Sequence, residues 1–282
     1  VALWGDEFYK DDPATKTAMI DQTINSMNKH SLDFTIFADD TKNGSSLCTD
    51  QAIGQDAEDI FKRLKSPTLY TLGDNEWTYC HRTNNGSYVP IERLGYLRMY
   101  FCNKETTQNR HPIKVERQGA AGEVYSENSR FVSNNVEFVA VNIVGSNNSL
   151  VVSEDQCYKK SERGWDDCDA ATVEYQVRNA QNAVWLKDAF EQARSHHYAG
   201  ILIDIQADIY FPFALSGGGY AKEFLDSLDA NNSYTDFFKS LAEETHNYAG
   251  QVLLVHGDSH YFKLDKAMVD SDGRLTPNFI RI

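Results

Sequence analysis

The spacing of apolar residues changes along this chain, and the changes mark out its elements. The run Val1-Ala2-Leu3-Trp4 ends in Gly5-Asp6 and predicts a strand entering a loop. Residues 15–29 place Ala18, Ile20, Ile24 and Met27 on one side of a helix. The stretch DFTIFA over 33–38 reads as a buried strand ending in acid, Asp39-Asp40. A helix over 57–65 follows, then a strand over 68–72 ending in Gly73-Asp74, then a helix over 91–101 carrying Leu94, Leu97 and Met99. Within 131–144, the alternation of Val136, Phe138 and Ala140 predicts one or two strands. The longest helix covers 171–197, and its second half carries Val184, Trp185, Leu186, Ala189, Phe190 and Ala193 as an apolar stripe. A strand over 200–205, a helix over 237–248 with Phe238, Leu241 and Ala242, and a strand over 252–255 complete the series. The tail from 261 reads as short strands and turns, and the least periodic segment, 106–135, as an excursion loop.

Strands that alternate with helices define an α/β architecture. No internal repeat or low-complexity linker interrupts it, so 1–282 reads as one domain. Polar clusters follow the strand ends: Asp6, Asp40, Asp74-Asn75, Gln206-Ala207-Asp208 and Asp258-Ser259-His260. Sites in open α/β sheets form outside the carboxyl ends of the strands, so these clusters are expected to converge on one edge. Carboxylates, amide oxygens and imidazoles suit a hard or borderline divalent ion (Mn, Mg, Ca, Zn or Fe) rather than a thiolate metal. The plain alternative is that Asp, Asn and Gly are ordinary turn residues.

Composition narrows the partners. Hydrophobic residues make up 41% of the 282, enough for a sizeable core. The formal charge of −14 excludes broad nucleic-acid backbone binding, which needs a basic face. No apolar run reaches the ~18–20 residues of a membrane span. Four N-x-S/T sequons, at Asn43, Asn85, Asn147 and Asn231, point to a secreted or cell-surface glycoprotein. No signal peptide opens the chain, as expected where a leader has been removed or lies outside this sequence. None of the five cysteines forms a C-x-x-C pair. Cys157 and Cys168 flank a polar segment and read as a loop-closing disulfide, leaving Cys102, in apolar LRMYFC, as the odd buried thiol.

Taken in order, Gly5-Asp6, Asp39-Asp40, Gly73-Asp74-Asn75-Glu76, Gln206-Ala207-Asp208 and Gly257-Asp258-Ser259-His260 resemble the motifs of the calcineurin-like metallophosphoesterases. That superfamily carries D-x-H, G-D-x-x-D, G-N-H-E/D, a lone His and G-H-x-H. The chain is more closely similar to a divergent secreted branch with G-D-x-P-Y, G-D-x-K-x-G-x-x-x-C and P-G-D-N-E-W-x-D-C-H-R. Gly5 to Tyr9, Asp39 to Gly44 with Cys48, and Leu72 to Arg82 carry the match. The resemblance spans essentially the whole chain and is weakest over 106–135 and 209–233. It implies a four-layer α-β-β-α sandwich with two mixed sheets. It also implies a metal-dependent phosphoesterase that hydrolyses a phosphate mono- or diester by metal-activated water. The substrate would be a phosphate-ester small molecule or a phosphorylated surface group. A Cys48–Cys80 bridge would brace the loops that carry these motifs.

The departures shape the expected site. Phe8 stands where the superfamily has a metal-binding His, Asp39 where it has Gly, Gln206 near the lone His and Asp258 at the first His of G-H-x-H. One metal position keeps Asp6, Asp40 and His260. The other would draw on Asp40, Asp74 or Asn75, Asp258 or His256, and Gln206. One tightly held divalent ion is therefore expected, and a second only weakly. Lys42, two residues beyond Asp40, would supply a fixed positive charge at that second position; read otherwise, it is a solvated loop lysine. His81 would protonate a leaving alkoxide. Arg82 and His256 would bind substrate, Arg82 holding phosphate bidentately; the alternative for Arg82 is bracing Glu76. Tyr9 and Trp77 either shape the cleft or belong to the core. If the lost imidazoles have ended catalysis, the fold survives as a binding or surface-recognition module.

Overall fold

The computed structural model describes residues 1–6, 9, 12–109, 111–152, 168–211, 221–270 and 272–282. A first sheet holds three strands, β1 (Ala2–Trp4), β2 (Thr35–Ala38) and β3 (Thr68–Thr71), in that order and all parallel. A second holds β4 (Glu116–Arg117), β5 (Ser129–Ser133), β6 (Val136–Ala140), β7 (Gly200–Asp204), β8 (Gln251–Val255) and β9 (Phe279–Arg281). It is mixed: β4, β5 and β6 pair antiparallel, and β6 through β9 pair parallel.

Strand alternation builds the layers. Ile36, Ala38, Leu69, Phe138, Ala140, Leu202 and Val255 point between the sheets and form one core with Phe34 and Phe131. The opposite face of the first sheet, with Phe37 and Tyr70, packs under α1 (Pro13–Met27), α2 (Asp56–Phe61) and α3 (Pro90–Phe101). The opposite face of the second, with Val139, Ile201, Ile203, Val252 and Leu254, packs under α4 (Cys168–Ser195) and α6 (Thr235–His246), with Phe224 of α5 (Ala221–Asp226) in the same core. Two sheets thus lie face to face with helices outside, as expected.

Local signals set the helix ends. Asp12 caps α1 by accepting from the Thr15 N–H at 2.8 Å, and Pro13 takes the first turn, where its missing donor costs nothing. Pro90 opens α3 in the same way. In α4 the buried residues run Tyr175, Arg178, Asn179, Asn182, Trp185, Leu186, Ala189, Phe190 and Ala193, a single helical face. Two expected core residues lie elsewhere: Met99 and Val184 are each 59% exposed, because both fall one step off the buried row of their helix. The segment expected as an excursion loop contributes β4 and all of β5 to the second sheet.

Cys48 and Cys80 form a disulfide, and Cys102 is free and buried. The expected Cys157–Cys168 bridge reaches outside the described residues, as does Phe8. Among the described residues no helix is long and apolar enough to cross a membrane.

Candidate metal centre

Parallel strands send their carboxyl ends to one edge, and this fixes where the acids meet. Asp6 follows β1, Asp39-Asp40 follow β2, Asp74-Asn75-Glu76 follow β3, and Asp258 follows β8. Ligand oxygens of Asp6, Asp39 and Asp40 all lie within 4.8 Å of one another. Asp39 was not among the expected ligands, although the buried acid doublet at a strand end was its signal. Asp39 accepts from the Asp40 N–H at 2.9 Å, the Gln206 amide at 3.1 Å and the Asp258 N–H at 2.7 Å. Asp40 accepts from the Asn75 N–H at 2.9 Å, the Asn75 side-chain amide at 2.7 Å and the Tyr9 hydroxyl at 3.0 Å. Backbone passes so close to these acids that side chains are barred. A Cβ on Gly257 would overlap the Asp39 carboxylate, and one on Gly73 would overlap that of Asp40.

Burial and mutual repulsion push the carboxyls up. Asp39 rises well above the ordinary range through burial and the neighbouring Asp6, and Asp40 through burial, Glu76 and Asp74. Asp74 is pushed up to about 6 and Asp258 to about 7, in both cases chiefly by burial. The two face each other across Gly145, where a Cβ would lie 2.7 Å from Asp74 Oδ2 and 2.8 Å from Asp258 Oδ1. A buried acid group of this density is the environment a cation would relieve. The donor set fits one: every oxygen is hard, and Asp6 Oδ1 is buried with no hydrogen-bond partner.

The other expected residues divide. His260 stands at the cluster, its Nε2 3.4 Å from Asp6 Oδ2 and its ring beside Tyr9. Asn75 turns its amide nitrogen to Asp40 and to the Lys42 carbonyl, so it donates here rather than offering its oxygen. Lys42 is neither solvated nor directed at the acids. It is 2% exposed, and its ammonium donates to the Asn43 and Ser46 carbonyls at 3.1 and 3.0 Å. Arg82 does not brace Glu76. Its guanidinium lies 3.3 Å over the Tyr79 ring, while Glu76 Oε1 is held by the Thr41 N–H and hydroxyl and the Lys42 N–H. His81 holds the Thr78 carbonyl through Nδ1 at 2.6 Å. His256 turns away, its Nε2 3.8 Å from Asp208, which also faces Arg281 at 3.7 Å. Gln206, near the place expected for a lone His, spans Asp39 and the Gly145 N–H and is completely buried. Trp77 is core, and Tyr9 belongs to the site through its bond to Asp40.

The chain after β6 supplies a feature that periodicity could not reveal. Ser146, Asn147, Asn148 and Ser149 are all left-handed, with φ of 56°, 54°, 51° and 65°. This turn brings the Ser146 hydroxyl to Asp74 Oδ2 at 2.6 Å. It is held from α4 by Arg178, which donates to the Asn148 carbonyl and side chain and to the Asn142 carbonyl. Asn147 clasps the opposite loop, donating to the Asn231 carbonyl and accepting from the Ser233 N–H. Between turn and loop, next to Asp258, opens a cavity of about 650 Å³ that Tyr79, Phe211, Tyr234, Asp208 and Asp229 also line. Of the four sequons, Asn85 is completely buried and donates to the Tyr79 carbonyl, so the folded chain has no room for a glycan there.

No protein-family model and no curated protein matches the chain. Its own geometry defines an α/β protein of two sheets with a buried aspartate cluster able to hold a metal ion, an arrangement consistent with that of metallophosphoesterases.

Proposed function

We propose that this protein is a metal-dependent phosphoesterase hydrolysing a phosphate mono- or diester at the carboxylate edge, in line with the motif series. The observation that carries this reading is the convergence of Asp6, Asp39 and Asp40 at the ends of two parallel strands. Asp6, Asp39, Asp40 and His260 would hold one divalent ion, with Asp74 and Asp258 offering a weaker second position. A bound divalent cation supplies Lewis acidity and brings the pKa of water toward neutrality. The chain's own groups do the rest. Asn75 and Tyr9 fix the Asp40 carboxylate by donating to it. His260, at the exposed rim, would join the carboxylates in holding the ion through Nε2. His81 protonates the leaving alkoxide, and Arg82 meets the phosphate. Lys42 acts through the loop it anchors.

The second reading is a binding protein on the same fold. Gln206 favours it, since both ends of its amide are committed to internal hydrogen bonds where the superfamily has an imidazole. Metal analysis of purified protein, with a monoester and diester panel in Mn, Mg, Zn, Ca and Fe, separates the two. The phosphoesterase reading expects about one tightly held ion and turnover. Asp40→Asn and Asp39→Asn should each lower metal affinity about tenfold or more and reduce turnover with it. A protein without metal or turnover under any condition is the binding module.

A further inference from the structure

We propose that the alcohol part of the ester is a cation, a quaternary or protonated amine, bound in the cavity beside Asp258. The inference rests on the phosphoesterase reading and goes on to name its substrate class. The cavity, about 650 Å³, is large enough for a small headgroup next to the aspartate cluster. Among the described residues its lining contains no Lys, Arg or His, but three carboxylates, Asp208, Asp229 and Asp258, and three rings, Tyr79, Phe211 and Tyr234. Sites for anionic leaving groups, such as a nucleotide or a polyphosphate, present the opposite charge. Acids with aromatic faces attract ammonium groups, the acids by charge and the rings by their quadrupole.

The charges in the lining are not equivalent. Asp208 is 4% exposed and shares Arg281, at 3.7 Å, with Asp265, and Asp258 belongs to the metal centre. The Asp229 side chain is exposed, makes no ion pair among the described residues and accepts from the Asn231 N–H at 2.8 Å. It therefore offers its charge to the cavity. One face of Tyr79 already stacks on a guanidinium, that of Arg82, so the ring's cation-attracting character is in use in this fold. The hydrogen bonds between Asn147 and the 231–233 segment pin the two walls together and keep the cavity formed.

The test is a matched pair of esters with the metal-loaded full chain: choline phosphate and its neutral carbon isostere, 3,3-dimethylbutyl phosphate. The expected result is about tenfold higher kcat/KM for the choline ester, the sum of a ring contact and an exposed ion pair. Asp229→Asn retains the turn, because Asn makes the same backbone contact, and should cut that preference about threefold, with Asp229→Glu restoring it. Choline alone, followed by NMR against 3,3-dimethylbutanol, reads the cavity independently of turnover. Hydrolysis of both esters at equal rates, or faster hydrolysis of the isostere, overturns the cationic substrate and leaves the phosphoesterase reading standing. Selective choline binding without hydrolysis of any ester supports the cavity assignment and overturns the enzyme. Neither binding nor hydrolysis overturns both.

Discussion

Asp204 shows how one side chain can set the pH response of the molecule. It closes β7 between the sheets, wholly buried, with the Thr71 hydroxyl as donor to one oxygen and no partner on the other. Burial pushes its carboxyl from the ordinary 3.8 up to about 8. Between these values the folded chain holds a proton that the unfolded chain has released. Its contribution to stability is therefore complete below about pH 4, falls as pH rises, and is lost by about pH 8. The slope approaches one proton, at most about 1.4 kcal/mol per pH unit. Asp204→Asn retains a neutral side chain and should flatten this part of the stability profile. Urea denaturation of both proteins from pH 4.5 to 8.5 checks it, and profiles of equal slope would sink the assignment. This acid was visible in the sequence only as a polar letter in GILIDI. Its meaning depends on Thr71, 133 positions away, which no local pattern supplies.

At the scale of elements, the left-handed turn after β6 stores strain that α4 holds in place. Left-handed backbone costs roughly 1–2 kcal/mol per ordinary residue. Ser149 is left-handed at φ 65° and φ is the whole of its difficulty, so Ser149→Gly should raise stability by about 1 kcal/mol. Arg178, 1% exposed, is the opposite case. Arg178→Ala strands the Asn148 and Asn142 acceptors and the Glu174 carboxylate, and should cost about 3 kcal/mol or more. Chemical denaturation measures both, and the pair must move in opposite directions. The second half of α4 was legible as an apolar stripe. Its first half was not, because Arg178, Asn179 and Asn182 are buried polar groups that serve the turn and break the apolar pattern. The strands β2, β7 and β8 were plain as short apolar runs. β5 was obscured by Arg130, which is 3% exposed and neutralised by Glu116 and Asp188.

For the whole molecule, the order of strand-end acids was enough to place the candidate site on one edge, because parallel strands share a direction. The orientation of each side chain was not available from that order. Lys42, Arg82 and His256 each turn to a local partner, a carbonyl pair, a ring and Asp208, that decides their aim. The Cys48–Cys80 bridge joins the loops after β2 and β3 across 32 positions. Replacing both cysteines with serine should cost about 4 kcal/mol by the chain-entropy account and lower the thermal midpoint by several degrees. The free thiol among the described residues provides a way to watch this happen. Cys102 is 5% exposed at the end of α3, and burial pushes it up to about 11. A thiol reagent in neutral buffer meets a closed door, so labelling waits for the chain around α3 to open. The labelling rate is then a stopwatch on opening events, readable by peptide mass spectrometry from the adduct on Cys102 without any denaturant. With the bridge removed the stopwatch should run faster, about tenfold for each 1.4 kcal/mol lost from the opening free energy, and with a divalent ion bound at the neighbouring edge it should run slower.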